Sequence, residues 1–182
     1  MRYPALALAP ALLLAAPAAA QTVRSEAIGL RFSVPHAWER VPATSDVRAA
    51  QFRVPGAGGA RQDGEVVLFH FGAAKGGGVQ ENLDRWYKQF TQPDGKPSRD
   101  AAVVTIRTVK GLKVTAIDLA GTYTAQMGPG DAAAPRPDYR MLAAVVEGEG
   151  GPWFWKAVGP AATIGAAKPG FDALLASLEA HR

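Results

Sequence analysis

Ile28, Leu30, Phe32 and Val34 alternate with Gly29, Arg31 and Ser33, and this period of two predicts a half-buried strand. Pro35-His36-Ala37-Trp38 breaks it, and Pro42 keeps the next stretch from running on as a helix. A second strand is predicted over Val47 to Val54, ahead of the flexible loop Pro55-Gly56-Ala57-Gly58-Gly59. Glu65 to Phe71 is nearly all apolar, which predicts a central strand covered on both faces. After a Gly- and Lys-rich stretch at 72–78 the period changes. Val79, Leu83, Trp86, Tyr87 and Phe90 fall on one side of a helix, with Gln80, Glu81, Asp84, Arg85 and Lys88 on the other.

A loop over Thr91 to Ala101 leads into a β-rich region. Val103 to Val109 and Leu112 to Thr124 predict a hairpin turning at Lys110-Gly111, and Met127 to Pro137 reads as a loop. Tyr139 to Glu147 and Trp153 to Val158 predict a second hairpin, closed by Gly159-Pro160. From Pro169, the spacing of Phe171, Leu174, Leu175 and Leu178 predicts a C-terminal helix. Three strands, a helix, four strands and a helix, joined mostly by hairpins, do not make a doubly wound parallel sheet. The expected fold class is α+β, an antiparallel sheet with helices packed on it, in one domain over 21–182.

Composition narrows the function. The chain has 182 residues and no cysteine, which excludes a disulfide scaffold, a thiolate zinc site and a cysteine nucleophile. Residues 1–20, MRYPALALAPALLLAAPAAA, have a basic start, a short apolar stretch and a small-residue Ala18-Ala19-Ala20 end. They read as a secretory signal peptide cleaved after Ala20, too short and too interrupted by proline to span a bilayer. A periplasmic or secreted protein is therefore expected, with no stable membrane insertion once the signal is removed. Cleavage leaves 19 basic against 16 acidic residues, a formal +3, with the basic residues scattered. No stripe for a phosphate backbone results, so nucleic acid is not an expected partner.

The layout is similar to the PsbP/Mog-type fold, an α-β-α sandwich around an antiparallel sheet. The matching residues are Phe32-Ser33-Val34-Pro35 with Trp38, Asn82-Leu83-Asp84-Arg85-Trp86 at a helix start, Gly121-Thr122-Tyr123 at a strand end, and Phe154 through Gly159-Pro160 before the closing helix. The pattern also resembles a group of uncharacterised exported bacterial proteins. Known members of the fold are accessory subunits of photosystem II or binders of a small GTPase, so the resemblance implies protein interaction and carries no catalytic motif.

Candidate chemistry is sparse. His36, His70 and His181 have no metal-ligand spacing, no serine sits in a Gly-x-Ser-x-Gly elbow, and no cofactor is expected. Asp84 and Arg85 lie on the polar side of their helix and read as an exposed pair on a solvated face, with a sheet carboxylate such as Asp118 as the alternative partner of Arg85. Two places remain for a ligand. The glycine-rich stretch at 72–78 lacks P-loop spacing and reads first as a flexible strand-to-helix connection; it also brings backbone amides to the N-terminus of the helix at Val79, and a small anion, if bound, would sit at Lys75, Gly77, Gly78 and Asn82. Trp153 and Trp155 share one strand face and are suited either to stacking on a ligand or to covering by a helix as core. The leading expectation is a non-enzymatic envelope module that binds another protein. The alternative is a small-ligand or anion-binding protein, or a small enzyme with its site at 72–78.

Overall fold

The computed structural model describes residues 22–125 and 134–181. The chain opens with a hairpin, β1 (Thr22–Ala27) and β2 (Leu30–Pro35), followed by β3 (Glu39–Val41), β4 (Arg48–Val54) and β5 (Gly64–Phe69). Helix α1 (Val79–Tyr87), β6 (Phe90–Thr91) and the one-turn α2 (Ser98–Ala101) come next. Then follow β7 (Val103–Val109), β8 (Leu112–Tyr123), β9 (Arg136–Glu147), β10 (Trp153–Pro160), α3 (Ala161–Ser177) and β11 (Glu179–Ala180).

One antiparallel sheet runs in the order β3-β4-β5-β10-β9-β8-β6, with β7 also paired to β8. Its two faces carry two separate cores, because side chains along each strand alternate. One face presents Val66 and Leu68 of β5, Trp153, Trp155 and Ala157 of β10, and Leu142, Ala144 and Val146 of β9. It is covered by α3 and by a second, three-stranded sheet, β1-β2-β11, whose Leu30, Phe32 and Val34 point inward. The other face presents Phe154 and Val158 of β10, Met141, Ala143 and Val145 of β9, and Ile117 and Leu119 of β8. Leu83 and Trp86 of α1 pack against it. Val66, Val67 and Leu68 are all buried, so β5 is covered on both sides as its composition requires.

Several boundaries differ from the sequence expectation for identifiable reasons. Ile28 is not the first inward residue of a strand. Ile28 and Gly29 both have positive φ and form the two-residue turn between β1 and β2, and Ile28 is exposed. Strand β1 has no apolar period to announce it. The strand begun at β5 stops at Phe69, and α1 stops at Tyr87, where Gln89 donates its amide to the Trp86 carbonyl and the chain extends to pair Phe90 with Tyr123. The terminal helix begins eight residues before Pro169. Ile164 and Ala167 continue the stripe of Phe171, Leu174 and Leu175, and burial along that stripe carries the helix through the missing Pro169 amide. Close packing fixes its path: a Cβ on Gly170 would lie 2.6 Å from Pro35 Cγ. Of the stretch expected as a loop over Met127 to Pro137, 127–133 lies outside the described residues, and Arg136 already opens β9.

Phe32 joins the small sheet to the large one. Its ring meets Trp155 edge-on at 4.8 Å and Phe52 at 6.4 Å. Phe32→Ala is expected to lower unfolding free energy by about 3–5 kcal/mol in denaturant titrations. Val103→Ala, at an exposed site, should change it by less than about 0.5 kcal/mol. Equal losses at both positions would contradict the packing described here.

Candidate functional site

The glycine-rich connection is built to place α1. Gly76 has φ +97°, and a Cβ there would lie 2.6 Å from the Phe154 ring and 2.8 Å from Phe71, so the backbone rests directly on these aromatics. Asn82 is buried, and its Nδ2 lies 3.1, 3.3 and 2.9 Å from the carbonyl oxygens of Gly76, Gly77 and Gly78. The Gly78 amide donates to Glu81 Oε2 at 2.7 Å, so the helix N-terminus is occupied by the chain's own carboxylate. The structure thus brings Gly77, Gly78 and Asn82 together, but the Gly78 amide and the Asn82 side-chain amide, two of the donors expected for an outside anion, are used internally. Lys75 is exposed in a turn, its stem along Gly72. Trp153 and Trp155 are both fully buried on the face under α3 and the small sheet. Trp153 Nε1 donates to the Ile28 carbonyl at 2.9 Å. Neither indole offers a stacking surface to solvent.

Arg85 does not reach Asp118. Its Nη1 donates to Asn82 Oδ1 at 3.1 Å, while Asp118 takes a two-pronged contact from Arg140, 2.7 Å from Nε and 2.6 Å from Nη2. The reason is the sheet's two faces: α1 lies over one and Asp118 points to the other. Asp118 raises the Arg140 guanidinium further above its ordinary value. His36 is exposed, His70 lies over Trp153 with Nδ1 3.3 Å from the Pro152 carbonyl, and His181 contacts Arg31 and Glu26.

A site that the sequence reading did not single out lies between α1 and the sheet. A cavity of about 140 Å³ is lined by Phe69, Phe71, Trp86, Phe154, Asn82, Arg85, Gln89 and Lys156. Lys156 takes the inward position between Phe154 and Val158 on β10. Its Nζ donates to Gln89 Oε1 at 2.8 Å and to the Tyr123 hydroxyl at 3.0 Å. Among the described residues no carboxylate lies within ion-pair distance of it; nearby Glu65 is held by Arg48 at 2.9 Å and Gln51 at 2.7 Å. Burial lowers the Lys156 ammonium to about 8, with Glu65 opposing and Arg48 adding to the shift. Burial likewise pushes the Tyr123 phenol up to about 12, with Arg136 and Arg48 opposing and Glu65 adding. The signal was present in the sequence: a lone lysine at the inward phase of an otherwise apolar strand, Trp153-Phe154-Trp155-Lys156-Ala157-Val158. A larger surface hollow of about 750 Å³ lies near α2, where Arg99 pairs with Asp84 and Lys96 with neighbouring Asp94.

The second feature is the sheet edge at β7. Lys110 and Gly111 both have positive φ and join β7 to β8 in a two-residue turn that pairs Val109 with Leu112. Alternation from that pair turns the backbone groups of Val104, Ile106 and Thr108 away from β8, toward the open edge. Six of the seven residues are β-branched, with Arg107 the one charge, and Val103, Val104 and Ile106 are exposed. Among the described residues no strand pairs with this outer side.

The sequence matches no family model and no curated protein. It is similar in structure to the solution structure of a cyanobacterial PsbP (CyanoP) from Synechocystis sp. PCC 6803, at 14% identity, with a TM-score of 0.54 over 92% of this chain and 96% of that one. A Pseudomonas aeruginosa protein of unknown function is also similar, at 11% identity and TM-score 0.48, over 88% of this chain and 98% of that one. The chain has a PsbP-like fold. Among the described residues no helix is long and apolar enough to cross a membrane.

The lysine site has a pH signature. A base whose folded pKa lies below its unfolded value opposes folding while it is charged. For Lys156 that penalty is full below about pH 8 and relieved as pH climbs toward the unfolded value of 10.5. Tyr123 acts in the opposite sense above its unfolded value of 10, where the unfolded chain loses its proton first. Unfolding free energy from urea titrations is therefore expected to rise between about pH 8 and 10. Lys156→Met should flatten the rise and be more stable than the parent at pH 7 by roughly 1–3 kcal/mol. An unchanged slope in the variant would contradict the burial of this ammonium.

Proposed function

We propose that this protein is an exported, non-enzymatic PsbP-like module of the cell envelope, an α-β-α sandwich with one mixed outer layer, that binds a partner protein by adding a strand of that partner to β7. The observation that carries the reading is the edge itself. Strand edges in monomers are commonly kept short or blunted by charge, proline or bulges. The edge of the large sheet at β3 has three residues and β6 has two, whereas β7 has seven, with no proline and no shift of register and with Arg107 as its single charge. Outward-facing backbone groups at Val104, Ile106 and Thr108 give the hydrogen bonds of strand addition, and Val104 and Ile106 give side-chain contacts beside them. The signal-peptide reading of residues 1–20 supports export, and the interaction theme implied by the fold resemblance supports a binding role. The absence of a catalytic motif in the sequence favours a non-enzymatic one.

The occupant is an extended segment of another envelope protein. A photo-cross-linking side chain at Ile106 is expected to give one dominant adduct in cells, and the same group at exposed Arg61 should not. Ile106→Pro leaves the β7–β8 ladder intact, because that amide points outward, and should cut the adduct at least tenfold when the cross-linker is moved to Val104, with the melting temperature within a few degrees of the parent. An adduct unaffected by Ile106→Pro, or an adduct to a second copy of this chain, would overturn the reading.

A further inference from the structure

The cavity beside α1 holds a combination that the fold itself does not explain. A buried ammonium is costly unless an opposite charge or a full set of acceptors compensates it. Lys156 has three donors and two acceptors, Gln89 Oε1 and the Tyr123 hydroxyl, and among the described residues no carboxylate closes on it. Glu65, the carboxylate whose charge acts on Lys156, is already bound by Arg48 and Gln51. A methionine at this position would fill the same inward place on β10 without that penalty. Around the ammonium the wall is aromatic: Phe69 and Phe71 stack at 6.3 Å with nearly parallel rings, and Phe154 meets Phe71 at 5.6 Å. Trp86 closes the α1 side, and Arg85, exposed, stands at the rim with one guanidinium nitrogen on Asn82 Oδ1.

We infer that this cavity binds a small single-ring organic acid, with its carboxylate on Lys156 and Arg85 and its ring among Phe69, Phe71, Trp86 and Phe154. Size sets the limit, since an apolar cavity near 150 Å³ accommodates a benzene-sized molecule and the volume here is about 140 Å³. Charge sets the class. A carboxylate supplies the acceptor missing from the third Lys156 donor and the counter-charge missing from the ammonium, and a guanidinium at the rim suits the same planar group. The site is independent of strand addition at β7: it lies on β10, with β9 and β8 between.

The probes are benzoate and its neutral relative benzyl alcohol, titrated into the protein by calorimetry and by NMR chemical-shift mapping. Benzoate is expected to bind at least tenfold more tightly than benzyl alcohol and to shift resonances of Trp86 and Phe154. Lys156→Met should weaken benzoate at least tenfold while leaving benzyl alcohol within about twofold, which separates loss of the charge from loss of the cavity. Arg85→Gln, outside the core, should weaken benzoate severalfold without altering the fold. Equal affinity for the two probes, no binding of either, or benzoate affinity unchanged in Lys156→Met would each overturn the inference.

Discussion

Strand β10 lies inside the sheet, between β5 and β9, and both of its faces are covered, with Lys156 the one part-exposed residue between Trp153 and Gly159. That constraint organises the molecule. Trp153, Trp155 and Ala157 must be covered on one side and Phe154, Lys156 and Val158 on the other. A sheet with two apolar faces has no stable solvent-facing side, so the chain supplies two different covers. The heavier cover, α3 with the small sheet β1-β2-β11, goes over the two indoles, where Phe32 fits edge-on against Trp155. The lighter one, α1, goes over the other face. Nine residues of helix do not close over that whole face, and the gap beside it is the cavity in which the Lys156 ammonium sits.

The position of α1 therefore determines whether that cavity exists. Three local interactions hold the helix: Gly76 pressed against Phe154 and Phe71, the Asn82 amide gathering three glycine carbonyls, and Glu81 on the Gly78 amide. A residue with a Cβ at Gly76 would push the loop off the aromatics and tilt the helix start with it. The glycines that resemble an anion cradle in sequence are explained by this close approach, and the helix dipole that would attract an anion is answered by Glu81.

Much of this was legible in the sequence because the strands alternate cleanly. The phase of Leu30, Phe32 and Val34, the two-sided burial of β5 and the turn at Lys110-Gly111 all follow from local pattern. Pattern failed where tertiary contacts outweighed it. Strand β1 is polar and exposed, and exists because it pairs with β2 across Ile28-Gly29. Pro169 reads as a helix boundary, yet the buried stripe from Ile164 to Leu175 runs through it. Arg85 and Asp118 carry opposite charge, and only the assignment of residues to sheet faces keeps them apart. Lys156 was visible as a letter but not as a site, because its meaning depends on Glu65 being occupied by Arg48 and Gln51, residues brought together by the pairing of β4 with β5 and β5 with β10.

The open edge and the lysine cavity belong to the same side of the sheet. Val104 and Ile106 pair with Ile117 and Thr115 of β8, and Ile117 lies in the same core cluster as Leu83 and Trp86 of α1. Lys156 is three strands from β7, about 14 Å at the usual spacing between strands, too far for one occupant to touch both. Communication between the two would have to pass through α1, which lines the cavity with Asn82, Arg85 and Trp86 and packs on the β8 residues behind the edge. A helix held at its start by hydrogen bonds to a glycine loop, and just past its end by the pairing of Phe90 with Tyr123 of β8, is fixed at two points. Both ends would have to give before a change at the cavity reached the edge, so the arrangement favours two surfaces that act separately.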